Sequence, residues 1–384
     1  MTEPKRAAWS AAQLAIAVAL TLAFPPDVYP ESGAIASLLL AGALWCATAR
    51  TRWGILLIGA AWLALQCASS LAPARTVTTV MRLVLPVAAL AAAAGIGPVH
   101  RRWLLWAASV AGAALGLLAI AQKWLILPAS AAWARESGAA REILVRLDSG
   151  RPFATHVVPA ALAGALTLAL AASVALAMSR HSRRAALALA VPITFGLILT
   201  ASLGAFIALA ASLALLLVPM WQALPRSVRW GTVIGVPLLL ATLVALRPVP
   251  ILDLSRADHP LRLRLGNWRA AVLIAPQAPF VGTGLGSYGA LMPQVRRAGD
   301  QETLFAHNSW LQLCVEGGLP AAFLLLAAAV WLSRRWRWVG ANENRVLLAG
   351  VTAFAVHNLF DFTAYLPGVA VAAGAFIGGR HASR

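Results

Sequence analysis

Residues 185–220 read AALALAVPITFGLILTASLGAFIALAASLALLLVPM, a run of 36 residues without a charged side chain. A helix that crosses a bilayer needs about 20 mostly apolar residues, so this run is too long for one span. Thr200 to Gly204 contains Ser and Gly, which permit a tight turn, and we divide the run there. The run therefore predicts two membrane spans joined by a short turn.

The whole chain shares this character. Of its 384 residues, 60% are hydrophobic and 11% are charged, whereas about a quarter of residues are charged in soluble domains. This composition excludes a soluble enzyme with one anchor, and it excludes a disordered chain. We predict an all-α integral membrane protein, with residues 1–384 forming a single polytopic membrane domain. About twelve transmembrane helices are expected at 7–24, 33–49, 53–70, 77–96, 103–121, 157–178, 185–200, 203–220, 231–246, 311–332, 346–361 and 367–379.

Charge predicts the orientation of these spans. Lys5 and Arg6 precede the first span, and most other basic residues then fall in short loops on the same, cytoplasmic side. Two longer segments break this pattern: the first external loop, 122–156, and the second, 247–310, together hold twelve basic residues on the opposite side. Long loops translocate regardless of charge, so the topology stands. The external cations indicate an anionic partner, although a solvated surface with scattered charge remains an alternative.

The type of basic residue indicates which kind of anion the protein binds. The chain has 29 arginines and two lysines, and guanidinium binds phosphate oxygens through paired hydrogen bonds. Nucleic acid is not the expected partner, because no nucleic-acid-binding motif accompanies the charge and the basic loops face away from the cytoplasm. The three cysteines lie in apolar runs without metal-ligand spacing. We expect a phosphorylated, membrane-borne substrate, and neither a metal nor a cofactor.

The second external loop carries two motifs. Around Arg264 and Trp268 the apolar residues recur near helical spacing, which predicts a short amphipathic helix with this cation and indole on one face. Such a pair can also serve only as a membrane anchor. Further on, Gly284, Gly286 and Gly289 match GxGxxG, but no βαβ unit surrounds them, so they predict a turn that lets the backbone approach a neighbour closely.

His307 ends this loop at the outer mouth of the span 311–332. A neutral imidazole there can accept a proton from a hydroxyl group, and Asn308 offers both a donor and an acceptor. His307 is the candidate base, although an interfacial histidine with a structural role is the alternative. His156 and His259 also lie in the external loops.

Two further titratable sites fall within predicted spans. His357 and Asp361 are four residues apart, which predicts a structural pair on one helical face. Glu316 lies inside the span 311–332, where a carboxylate is costly unless it is paired. It is therefore either a buried hydrogen-bond partner or part of the site.

The order of these motifs resembles the signature region of the O-antigen ligase and O-antigen polymerase superfamily. The resemblance rests on Arg264-xxx-Trp268, on PFVGTGLGSY from Pro279 and on HNSWLQLCVEGG from His307. It extends to VHNLFDFTAYLP, which ends at Pro367, and to GRPFATHVVPA, which begins at Gly150. The motifs thus run from about residue 150 to 367.

The resemblance implies an inverting, metal-independent membrane glycosyltransferase. In that family, arginines hold a polyprenyl pyrophosphate and the histidine of the HN motif serves the acceptor, and these roles fall on Arg264 and His307; Arg151 is a looser match. The family commonly shows Ser-Arg-Gly-Ala where this chain has Ser202-Leu203-Gly204-Ala205. If that arginine binds phosphate elsewhere in the family, another cation must replace it here. The candidates are Arg146, Arg151, Arg262 and Arg269.

We therefore expect an O-antigen ligase of the bacterial inner membrane with its active site facing the periplasm. Its donor would be an undecaprenyl-pyrophosphate-linked glycan, its acceptor lipid A-core, and membrane lipids would surround it. His307 is expected to be catalytic, and the residues expected to bind pyrophosphate or glycan are Arg264, Arg151, Arg262, Arg269, Arg146, Asn308 and Trp268. A polymerase that joins lipid-linked repeat units and a transporter of lipid-linked glycan are the alternatives.

Overall fold

The computed structural model describes residues 3–46, 53–217, 221–222, 225–245, 259–297, 300, 302–338 and 343–378. Within these ranges the chain is helical and contains no strand. The α-helices are α1 (Glu3–Ala23), α2 (Pro30–Cys46), α3 (Trp53–Ser69), α4 (Pro73–Ala94), α5 (Pro98–Ala121), α6 (Leu127–Glu136), α7 (Arg141–Asp148), α8 (Pro159–Ala177), α9 (Arg183–Leu199), α10 (Leu203–Leu217), α11 (Arg226–Ala245), α12 (Pro260–Ile274), α13 (Tyr288–Val295), α14 (Ser309–Trp338), α15 (Glu343–His357) and α16 (Pro367–Gly378).

Each of the twelve predicted spans overlaps one of these helices, although α15 ends four residues before the predicted span 346–361 does. Five helical segments are long and apolar enough to cross a membrane: Pro4–Ala23, Pro73–Ala94, Val99–Glu136, Pro159–Ala177 and Ser309–Arg334. Many large apolar side chains project outward, among them Trp45 at 90% exposure and Leu38 at 75%. Such surfaces are typical of helices that face lipid, so the protein is an all-α, multi-pass membrane protein. The full set of twelve spans remains a prediction.

Helix α8 forms the centre of the main core. It packs against α5, α9 and α15, and nearly all of its residues are buried. The contacts depend on small residues: a Cβ added at Gly112 would meet Ala169, and one added at Gly350 would meet Ala171. Close approach at Gly and Ala is how membrane helices gain packing energy where lipid tails offer no hydrophobic driving force.

The region of the first external loop is more helical than a loop. Helix α5 continues through a π-helical turn at Gln122–Ile126 into α6, and the combined segment Val99–Glu136 has 38 residues. At 1.5 Å per residue this segment is about 57 Å long, far more than the thickness of a hydrocarbon core. The predicted span of 103–121 therefore continues as a helix into the region assigned to the loop.

The division of the long apolar run is confirmed. Helix α9 ends at Leu199 and α10 begins at Leu203, with Ala201 between them at φ 47°. A helix is also confirmed in the second external loop, where α12 holds Arg264 and Trp268. Helices α12, α13 and α14 meet in a second, smaller core that includes Ala270, Tyr288, Ala306 and Val315.

Candidate functional site

His307 stands at the entrance to α14 in a strained backbone conformation. Its φ is 54°, in the left-handed region that costs energy for a residue with a side chain. The Trp268 indole nitrogen donates to the His307 carbonyl oxygen at 3.4 Å, which connects α12 to this point. On the other side, the Asn308 side-chain oxygen accepts from Leu311 N at 3.0 Å and caps α14. The conformation of His307 is thus fixed from both directions.

The His307 ring lies among aromatic and charged groups. Its centroid is 5.0 Å from that of Phe362, with the two rings perpendicular. Partial burial lowers the pKa of His307 below its usual 6.5; the Asp361 carboxylate opposes this shift and the Arg264 guanidinium adds to it. The imidazole is therefore neutral at pH 7 and able to accept a proton.

Asp361 lies at a different position from the one that the sequence analysis predicted. The prediction that it shares a helical face with His357 is wrong, because α15 ends at His357 and the chain leaves the helix before Asp361. Asp361 is buried, and its backbone oxygen accepts from Ser309 N at 3.0 Å. This contact brings the segment after α15 to the first turn of α14. Asp361 thereby becomes a neighbour of His307.

The other three outer histidines have structural environments. Burial lowers the pKa of His156 to about 4, and a hydrogen bond to the Leu22 backbone opposes that shift. His259 is buried and its Nδ1 accepts from Leu261 N, which caps α12. His357 is fully buried with its Nε2 3.2 Å from Ala160 O. Among these four histidines, His307 alone is partly exposed, so the structure favours it as the base.

Arg264 lies one helical turn before Trp268 on α12. Its Nε is buried and has no hydrogen-bond partner among the described residues. A buried guanidinium nitrogen without an acceptor is costly, and a bound anion would supply the missing acceptor. Arg264 also lies close enough to His307 for its charge to lower the pKa of the imidazole, so the two predicted site residues are neighbours.

Arg151 reaches the break between α9 and α10. Its Nε donates to Thr200 O at 2.8 Å, directly before the segment that contains Leu203. The loop that carries Arg151 is held by Gln122, whose side-chain oxygen accepts from Phe153 N and Ala154 N. A guanidinium group thus lies next to the segment that contains Leu203.

The remaining predicted ligands are already engaged within the protein. Arg146 donates to Val157 O and lies 4.6 Å over the Phe153 ring. Arg269 donates to Val295 O at 3.3 Å and lies 3.9 Å from Asp300. Arg262 is exposed on α12. These contacts make Arg146 and Arg269 weaker candidates than Arg264 and Arg151, and Asn308 likewise serves as a helix cap.

The glycine-rich segment forms the predicted turn against its neighbours. Gly282, Gly284 and Gly286 all have positive φ, and a Cβ on Gly282 would lie 2.2 Å from Glu316 O. Only glycine permits so close an approach. The turn packs against a kink in α14 at Gly318, where φ is 63°.

Glu316 organises this turn and is a buried hydrogen-bond partner. Its carboxylate accepts from Gly286 N, Tyr288 N, Gln312 Nε2 and Tyr365 Oη at 2.8–3.0 Å. Four donors from three segments satisfy a fully buried charge. Gln312 continues the network, because its Oε1 accepts from Ala306 N at 2.9 Å. The glycine turn is thereby linked to the residue next to His307.

Replacing Gln312 with methionine should lower the melting temperature of the purified protein. The change leaves Ala306 N without its acceptor and removes one donor from Glu316, and each buried unsatisfied group costs about 1–3 kcal/mol. Thermal unfolding in detergent measures the effect. Gln294, an exposed residue of α13, supplies the control variant Gln294→Met, which should unfold as the wild type does. Equal melting temperatures for the two variants would contradict the role of this network.

A cavity of about 490 Å³ lies beside these elements and is lined by Ala275, Pro276, Ala278, Pro279, Cys314, Val315, Gly318, Leu319 and Ala322. It carries no charged group, so it does not match a pyrophosphate. Within the described parts of the chain, no three His, Cys, Asp or Glu side chains could together hold a metal ion.

Comparison with known proteins finds one family whose model matches part of the chain. No curated protein matches the chain. Residues 185–326 match the family model described as O-antigen ligase, a region that contains the α9–α10 break, Arg264 and His307. Over this region the chain is similar to the O-antigen ligase superfamily, and the match does not separate ligases from polymerases.

Proposed function

We propose that the protein is an inverting, metal-independent glycosyltransferase. It moves O-antigen polysaccharide from undecaprenyl pyrophosphate to a sugar hydroxyl of lipid A-core, at the periplasmic face of the inner membrane. The observation that carries this proposal is the placement of a neutral imidazole, His307, beside Arg264, whose Nε has no hydrogen-bond partner in the described part of the chain.

The reaction needs a base and an anion site. The acceptor oxygen forms a bond to the anomeric carbon while the bond from that carbon to the pyrophosphate oxygen breaks on the opposite face, which inverts the configuration. The hydroxyl proton passes to the free nitrogen of His307. The departing lipid pyrophosphate gains negative charge, and guanidinium groups stabilise that charge as it develops.

Asp361 acts through His307. When the imidazole accepts the proton it becomes a cation, and the nearby carboxylate favours that form, as its effect on the pKa of His307 indicates. The Arg264 guanidinium lowers the pKa of His307, so it does not favour the protonated imidazole, and we assign its charge to the anion. Asp361 thus stabilises the protonated base, and Arg264 stabilises the leaving group.

Arg151 is our choice for the cation that replaces the missing arginine at Leu203. Its contact with Thr200 O supports this role, because it places a guanidinium at the start of α10. Arg151 and Arg264 would together bind the two phosphates of the donor. The membrane lipid would then hold the polyprenyl chain beside the protein.

The pH dependence of transfer should report the lowered pKa of His307. The base form persists below pH 6.5, so the acid limb of the rate profile should lie below the range of an ordinary histidine. Asp361→Asn removes the group that raises this pKa and should move the limb to still lower pH, whereas Arg264→Gln should move it upward. Initial rates from pH 5 to 8 measure the limb. Identical limbs in all three proteins would contradict the proposed arrangement.

A polymerase would use the same groups with a different acceptor. Deleting the gene and staining the envelope polysaccharide distinguishes a ligase from a polymerase and from a transporter. Loss of long chains from lipid A-core while carrier-linked polymer is still made supports the ligase, and single repeat units alone would indicate the polymerase. Carrier-linked glycan confined to the cytoplasmic face would indicate a transporter.

A further inference from the structure

A second cavity, which includes two arginines, lies at the turn between α10 and α11. Its volume is about 320 Å³ and it is lined by Trp221, Arg226, Arg229, Trp230 and Val233. Helix α10 begins at Leu203, directly after the Thr200–Ser202 break that Arg151 contacts. Its 15 residues are roughly 22 Å long, and this length separates the break from the turn that holds the cavity. The cavity is therefore far from His307 and is not part of the proposed catalytic site.

The lining residues come from one face of α11. Arg226, Arg229, Trp230 and Val233 have the spacing i, i+3, i+4 and i+7, which places them on a single stripe. Trp221 closes the cavity from the preceding turn. Two cations and two indoles thus converge, and none of the described residues that line the cavity is acidic.

Arg229 indicates that the cavity lacks a hydrogen-bond acceptor. Its Nε is buried, and among the described residues it has no hydrogen-bond partner. Withdrawing a guanidinium nitrogen from water without an acceptor is unfavourable, so the site calls for an anion with oxygen acceptors. Two arginines close together on a helix also repel each other, and a bound phosphate group would relieve that repulsion.

The surroundings indicate that the phosphate belongs to a lipid. Beyond the cavity, α11 exposes Val233, Ile234 and Leu238 at 49%, 57% and 63%, an apolar surface suited to acyl chains. Trp230 is half exposed beside it, and tryptophan concentrates at the level of lipid headgroups. Basic pockets at the ends of membrane helices bind acidic headgroups by the same means.

We propose that this cavity binds the phosphate of an anionic phospholipid. Arg226 and Arg229 hold the phosphate oxygens, Trp221 and Trp230 flank the headgroup, and the acyl chains lie along α11. This site is independent of the transfer reaction, and its test does not require activity.

Native mass spectrometry of the purified full chain tests the proposal. The protein is titrated in detergent with phosphatidylglycerol, cardiolipin or phosphatidylcholine, and the lipid-bound fraction is measured. The wild type should retain the two anionic lipids over phosphatidylcholine, and Arg226→Gln/Arg229→Gln should weaken their binding about tenfold. The matched control is Arg183→Gln/Arg184→Gln, which removes the same charge from the exposed start of α9.

The outcomes separate a built site from diffuse attraction. Retained binding in the α9 control, with loss in the α11 variant, supports the proposal. An equal loss in both variants would overturn it, because surface charge alone would then explain the preference. Displacement of the lipid by excess inorganic phosphate would assign the cavity to a free anion instead. The conservative variant Arg226→Lys/Arg229→Lys should keep part of the affinity for anionic lipid. The lipid site would also be refuted if this variant, correctly folded, bound no anionic lipid, or if the wild type bound none.

Discussion

Replacing His307 with alanine should lower the rate of glycan transfer by about 10²- to 10⁴-fold, the range expected for loss of a general base. Donor binding should be unchanged, because the phosphate ligands are on other segments. The structure favours His307 for the proposed role, because it is partly exposed beside Asp361, whereas His156 and His357 are buried. Transfer from a polyprenyl pyrophosphate glycan to purified core acceptor measures the rate, and equilibrium binding of the donor measures affinity.

Controls must separate the loss of the imidazole from a change in the backbone. Because φ at position 307 is 54°, alanine there is strained, whereas asparagine tolerates the left-handed conformation. His307→Asn should therefore be as inactive as His307→Ala while folding as the wild type does. His181→Ala, at an exposed histidine of the α8–α9 turn, should transfer normally. Normal transfer by a folded His307→Asn protein would remove the imidazole from the mechanism.

Replacing Arg264 with lysine should weaken donor binding about 10- to 100-fold, although the charge is kept. An ammonium group is a point charge and does not reproduce the two parallel hydrogen bonds that guanidinium forms with phosphate. Hydrogen bonds to charged groups contribute about 1.5–3 kcal/mol each, which corresponds to this range of affinities. The dissociation constant of the lipid pyrophosphate donor is the quantity to measure.

Arg296 offers a matched control in the same external region. It pairs with Glu302 at 3.2 Å on the surface, and surface ion pairs contribute little. Arg296→Lys should bind the donor as the wild type does. Donor affinity in Arg264→Lys equal to that of Arg296→Lys would show that Arg264 does not hold phosphate through paired hydrogen bonds.

The sequence predicted the elements around the candidate site where a local pattern defines them. The uncharged run of 185–220 requires two helices, and the small residues near Thr200 mark the only natural turn, so the break could be placed in advance. Arg264 and Trp268 could be assigned to one helical face from their spacing alone. The proximity of Arg264 to His307 depended on the resemblance, since 43 residues separate them and no local rule connects them.

Asp361 could not be placed because hydropathy does not show where α15 ends. The apolar Leu359, Phe360 and Phe362 continue the pattern of a span. What ends the helix is the Asn358 side chain, whose Oδ1 accepts from Ser309 Oγ, Thr363 Oγ1 and Ala364 N. These partners come from a distant helix and a later turn, which no periodicity reveals.

Among the described residues, three non-glycine positions have positive φ: Ala154, Ala201 and His307. Each of them lies in a different segment next to the candidate site. Ala154 lies in the segment of Arg151, Ala201 lies in the gap before α10, and His307 lies directly before α14. Left-handed alanines and histidine raise the energy of the folded chain at these points. The rest of the fold must stabilise these conformations, so the proposed base and phosphate ligands would already be in position before a donor binds. In the proposed reaction, a site formed in advance would accept polymers of many lengths, because its geometry would not depend on how much sugar follows the first residue.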